Sequence, residues 1–143
     1  MVKIDFYIHQ DQQPQTAELL ACRIAEKALN QGLKTWLRTD GENQAHAMDT
    51  LLWTFREGSF LPHGLWEGDP DEPLLIGPAG VPAPDDREML INLAPGFPEE
   101  PGSWARIAEI ADQQPERLRA ARARFRHYRE QGFSPNHHTV KTR

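Results

Sequence analysis

An α/β fold is predicted: an open, mostly parallel sheet with helices on both faces. The prediction rests on an alternating opening segment, on two successive strand–helix pairs, and on short apolar runs that recur further along the chain. Val2, Ile4, Phe6 and Ile8 occupy every second position around Lys3, Asp5 and Tyr7, which is the period of a strand. After Pro14, Leu19, Leu20, Ala21, Ile24, Ala28 and Leu29 fall at helical spacing over Thr16 to Gln31, and Gly32 supplies a left-handed stop. Leu33 to Thr39 reads as the second strand. Asp40 then caps a helix from about Glu42 to Phe55, with Ala45, Met48, Leu52 and Phe55 inward.

An acidic, Pro- and Gly-rich stretch follows from Glu67 to Asp86, broken by Leu74-Leu75-Ile76, which is short enough for a buried strand. Met89 to Leu93 predicts another strand. The next segment, LAPGFPEEPG, is a loop because its prolines exclude a continuous helix. Two helices are then expected, WARIAEIA capped by Ser103, and a longer one opened by Pro115 and closed at Gly132. Residues 1–133 are thus expected to form a single α/β domain, with 134–143 a flexible C-terminal tail.

Several chemistries lack their residues. The turn after the first strand, HQDQQPQT, has no glycine to let a pyrophosphate approach, and no GxxxxGK[ST] cradle occurs, so no nucleotide cofactor is expected. Cys22 stands alone on an apolar helix face, and the histidines are scattered or paired in the tail, so no metal is expected either. Ser59 lacks the flanking pattern of a nucleophile elbow. The carboxylates at Asp69, Asp71, Glu72, Asp85 and Asp86 suit a solvated loop; an acid–base pair there, near Asp71 and Asp85, is the remaining enzymatic reading. A single Cys, no apolar run of about 20 residues and no signal-peptide core predict a cytoplasmic protein without a membrane partner.

Charge is divided unevenly along the chain. Residues 1–111 carry 8 basic against 18 acidic groups, while residues 112–143 carry 8 against 3. The basic end is the last helix, where Leu118, Ala121, Phe125 and Tyr128 form an apolar stripe, each followed by an arginine: Arg119, Arg122, Arg126 and Arg129. One residue is about 100° around the axis, so the guanidinium groups border the surface that Phe125 packs against. Such a border suits an acidic peptide with apolar residues, whose carboxylates meet the guanidinium forks. A surface helix with merely solubilising arginines is the plainer alternative, and direct binding of single-stranded nucleic acid by the basic helix is another.

The opening strand ending in FYIH, the segment LLWTFREGSFLPHGL at residues 51–65, the strand MLINLAPGFP, and RFRHYREQGFSPN at residues 124–136 together resemble the chi subunit family of bacterial DNA polymerase III. The resemblance covers nearly the whole chain; the acidic insert and the segment ADQQPERL align least. It implies a Rossmann-like fold without nucleotide chemistry and a non-catalytic accessory subunit. It further implies a link between the clamp loader and single-stranded DNA-binding protein, made by holding that protein's acidic C-terminal tail. The psi subunit, where one is present, would be the second partner, with clamp-loader subunits and single-stranded DNA reached indirectly. Carried over by motif, the tail site would comprise Arg122, Phe125 and Arg126 with Trp53 and Phe60. Arg126 would take the terminal carboxylate, and Arg122 would share it or meet upstream aspartates. Phe125 would line the pocket for a terminal phenylalanine, and Trp53 and Phe60 would complete the apolar wall, ordinary core packing being the alternative for both.

Overall fold

The computed structural model describes residues 1–58 and 60–141; Ser59, and Thr142 and Arg143 of the expected tail, lie outside the described residues. In chain order the elements are β1 (Lys3–His9), α1 (Thr16–Asn30), β2 (Thr35–Thr39), α2 (Glu42–Thr54), β3 (His63–Leu65), β4 (Leu74–Pro78), β5 (Met89–Asn92), β6 (Arg106–Ala111), α3 (Pro115–Glu130) and β7 (Asn136–Val140), with one 3-10 turn at Pro101–Ser103. The strands lie in one open sheet, ordered β3-β4-β2-β5-β6-β1-β7, and every pairing is parallel. This is the predicted Rossmann-like α/β architecture. None of the described helices is long and apolar enough to cross a membrane.

The two faces of the sheet follow from the period-2 pattern. Leu37, Leu74, Ile76, Ile91 and Ile110 pack beneath α1 and α2. On the other face Ile4, Phe6, Ile8, Trp36, Leu90 and Ile107 form a second core, which includes Ala121 and Tyr128 of α3. Gly32 and Gly132 follow the ends of α1 and α3 at φ of +76° and +92°, the left-handed conformation predicted for a helix stop. The acidic stretch is anchored from within. Arg87, 6% exposed, donates to the carbonyl oxygens of Pro70 and Pro73, while Asp69, Asp71, Asp85 and Asp86 stand exposed.

Three segments differ from expectation. The stretch read as the helix WARIAEIA contains β6, the strand between β5 and β1, and its residues are buried on both faces from Ile107 onward. Its alanines favour a helix and its two isoleucines sit three apart, so local pattern misleads where the tertiary setting decides. The expected loose tail contains β7, which pairs with β1 from Asp5↔Asn136 to His9↔Val140. Its residues are polar and mostly exposed, so no apolar alternation marks it. Long-range contacts hold it instead: His138 stacks on Tyr7 at 5.0 Å between ring centroids and lies 2.8 Å from Asp5 Oδ1. The three-residue β3, which contains Gly64, is likewise too short to show a period.

One close approach fixes a residue type. Trp36 lies over Gly77 of the neighbouring strand, and a Cβ added there would sit 2.2 Å from the indole ring. Gly77→Ala is expected to destabilise the domain by about 1–3 kcal/mol, as overpacking does. Urea melts of the two proteins check it, and equal midpoints would contradict the packing described.

Candidate functional site

The site is built by α3, whose position is set from the sheet. Glu109 of β6 is fully buried and accepts three hydrogen bonds: from Arg124 Nε at 2.8 Å and Asn92 Nδ2 at 2.8 Å on Oε1, and from the Tyr128 hydroxyl at 2.6 Å on Oε2. Arg124 Nη1 donates to the Pro95 carbonyl oxygen, and Arg38 Nη1 donates to Asn92 Oδ1. Two residues one helical turn apart are therefore pinned to a single carboxylate, which fixes both the rotation and the axial position of α3. At its start Pro115 occupies the first turn, and the Gln114 side chain accepts from the Arg117 N–H at 2.8 Å.

This anchoring sorts the six arginines of α3. Arg117 bridges Glu18 at 2.7 Å and Asp112 at 3.0 Å; Arg119 pairs with the exposed Glu116 at 2.9 Å; Arg124 is consumed by Glu109. Among the described residues no carboxylate lies within 4 Å of Arg122, Arg126 or Arg129, and all three are exposed. The helix face that carries them borders β1 and β7. There a cavity of about 620 Å³ opens, lined by Phe6 and Ile8 of β1, His137 and Thr139 of β7, Leu118, Ala121, Arg122, Phe125 and Arg126 of α3, and the loop residues Gln10 and Gln113. Phe125 is half-buried. Its ring packs edge-on against Phe6 at 5.1 Å and also forms part of the cavity wall. A pocket with one apolar wall and two uncompensated guanidinium groups can take a side chain that carries, or lies next to, an anion.

Arg122, Phe125 and Arg126 thus share one cavity, whereas Trp53 and Phe60 lie elsewhere. Trp53 is on α2, on the opposite face of the sheet, and α2 packs on β2, β3 and β4. Six strand spacings, about 29 Å, separate the β3 edge from the β7 edge. Trp53 and Phe60 are 49% and 69% exposed and 5.4 Å apart, forming an aromatic patch of their own with His63 beneath Trp53 at 4.6 Å. The apolar lining of the cavity comes from Phe6, Ile8, Leu118, Ala121 and Phe125. Sequence reading missed all of these but Phe125 because periodicity shows that a face is apolar but not which helix crosses it. Arg124 had a signal: it lies three residues after Ala121 and four before Tyr128, inside the apolar stripe, where a cation needs a buried acid.

A second cleft, of about 550 Å³, lies where dinucleotide-binding sheets receive phosphate, between the turn after β1 and the start of α3. Asp11, Glu18 and Asp112 line it, against one cation, Arg117. Burial raises the pKa of Glu18, but hydrogen bonding and charge from Arg117 outweigh it and leave the carboxyl below its ordinary range. The cleft is therefore anionic and repels phosphate.

The family model for the DNA polymerase III chi subunit, HolC, matches residues 1–136. The chain belongs to the DNA polymerase III chi subunit family. Its chi relatives include the DNA polymerase III subunit chi of Pseudomonas aeruginosa, 40% identical over 98% of both chains. The subunit chi of Escherichia coli is 28% identical over 87% of this chain and 86% of its own, and that of Haemophilus influenzae 29% identical over 90% and 91%. Chi is an accessory subunit of a replicative polymerase complex, so what matters in this fold is the surface that α3 and the sheet edges present.

The anchor of the chi site predicts an alkaline limit. Burial, reinforced by the Glu109 carboxylate, raises the Tyr128 phenol well above its ordinary pKa, and burial pushes the Cys22 thiol up to about 12. In the unfolded chain these groups ionise near pH 10 and 8.5, so their contribution to stability is complete below those values and is lost as pH rises above them, by about 1.4 kcal/mol per group and pH unit. Unfolding free energy measured from pH 8 to 11 is expected to fall, and less steeply in Tyr128→Phe with Cys22→Ala. An identical slope in the double variant would contradict this.

Proposed function

We propose that this chi chain links the clamp loader of DNA polymerase III to single-stranded DNA-binding protein, as a non-catalytic cytoplasmic subunit, by holding the acidic C-terminal tail of that protein in the cavity between α3 and β7. The observation that carries the reading is the pair Arg122 and Arg126, both without a carboxylate partner among the described residues, at the mouth of a cavity walled by Phe125. Because both guanidinium groups line one cavity, they share the terminal carboxylate while a terminal phenylalanine enters against Phe125, Phe6 and Ile8.

A link needs two surfaces, and the exposed Trp53–Phe60 patch supplies a second at the far edge of the sheet. It suits the psi subunit, where one is present, and psi would carry the contact to the clamp loader. Single-stranded DNA is then reached through its binding protein. Direct DNA binding by α3 is the weaker reading: the exposed aromatics that could stack bases lie at the other edge from the free arginines, and residues 1–111 carry an excess of acid that repels the backbone.

Calorimetric titration tests the reading with an acidic decapeptide ending in Pro-Phe. Arg126→Ala is expected to weaken binding by about 1–3 kcal/mol, amidation of the peptide's C-terminus to weaken it comparably, and added salt to weaken it further. Trp53→Ala should leave it unchanged. Equal affinity for free and amidated peptide would refute the carboxylate contact.

A further inference from the structure

Resting on the tail-binding reading of this cavity, the geometry points to a polarity for the bound peptide and to one more residue that reads it. We propose that the peptide lies parallel to β7 and antiparallel to α3, with its upstream acids passing down the groove between these elements to Arg129, which acts as a specificity-determining cation.

The cavity lies toward the C-terminal ends of the strands, since Gln10 directly follows β1, Gln113 lies two residues past β6 and Thr139 is paired with Ile8. A peptide anchored there can leave in two directions. Upward it meets the acidic cleft, which adjoins the cavity through Gln113, lining both, and which presents Asp11, Glu18 and Asp112 against the single Arg117. Aspartates leaving that way meet like charge. Downward the cavity continues between α3 and β7 as far as Arg126 and His137. The β7 wall, Asn136 to Val140, holds no acid. On α3, Arg129 is seven residues beyond Arg122, about 20° away around the axis and therefore on the same face, about 10 Å further along. Among the described residues it has no carboxylate within 4 Å; Glu130, the acid of that turn, lies 3.9 Å from His127 Nδ1. An extended peptide advances about 3.3 Å per residue, so acids some three residues before the anchored end come level with Arg129. Charge thus selects the downward path, and the parallel course along β7 follows from it.

The probes are the acidic decapeptide with aspartates in the four residues before Pro-Phe, a tripeptide with the same last three residues, and the decapeptide spin-labelled at the fifth residue from its C-terminus. With the full chain, Arg129→Gln is expected to weaken decapeptide binding 3- to 10-fold while leaving the tripeptide's affinity as in the parent. The spin label is expected to broaden the amides of Arg129 and Asn136. Unchanged decapeptide affinity in Arg129→Gln, an equal loss for both peptides, or broadening centred on Gln10 and Gln113 would overturn the polarity while leaving the anchored end in place. Failure of the parent protein to bind the decapeptide would overturn the tail reading itself and the polarity with it.

Discussion

Glu109 is a charged side chain with no solvent contact at the middle of a parallel sheet, and taking a carboxylate out of water costs several kcal/mol unless its lone pairs are satisfied. Arg124, Tyr128 and Asn92 satisfy them, and Arg38 extends the network through Asn92 to the next strand. Apolar packing alone lets a helix slide or roll on a sheet at small cost. A carboxylate that must meet both Arg124 and Tyr128 does not, so the ion pair works as a locator more than as a source of net stability. Everything on the outer side of α3, including which arginines face β7, is set by that constraint.

With the helix located, the acids of the domain decide which cations remain available. Glu18 and Asp112 take Arg117, Glu116 takes Arg119 and Glu109 takes Arg124, which leaves Arg122, Arg126 and Arg129 along the β7 side. The excess of basic groups in residues 112–143 is thus not a diffuse field but a line of guanidinium groups on one helix face, of which Arg122 and Arg126 line the cavity. The exposed Trp53–Phe60 patch lies at the opposite edge and on the opposite face, so the two surfaces are separate.

Elements with a clear period were legible in the sequence: β1 by alternation, α1 and α3 by helical spacing and their glycine stops, α2 by helical spacing, β4 and β5 as short apolar runs. The rest was hidden for physical reasons. The buried central strand β6 carries helix-favouring alanines and a glutamate whose burial only a tertiary partner justifies, and β7 is a polar edge strand held by pairing with β1. The helix period placed Arg122, Phe125 and Arg126 on one side of α3, but Phe6, Ile8, His137 and Thr139 reach the cavity through a strand order that no local pattern encodes. A shared motif brought Trp53 and Phe60 to attention without saying which surface they serve.

The most direct measurement is amide chemical-shift mapping of the full chain during titration with the acidic peptide. The account predicts saturable shifts at Phe125, Arg126, His137 and Thr139, with Trp53 and Phe60 undisturbed. Shifts centred on Trp53 and Phe60, or none along α3 at saturating peptide, would contradict it.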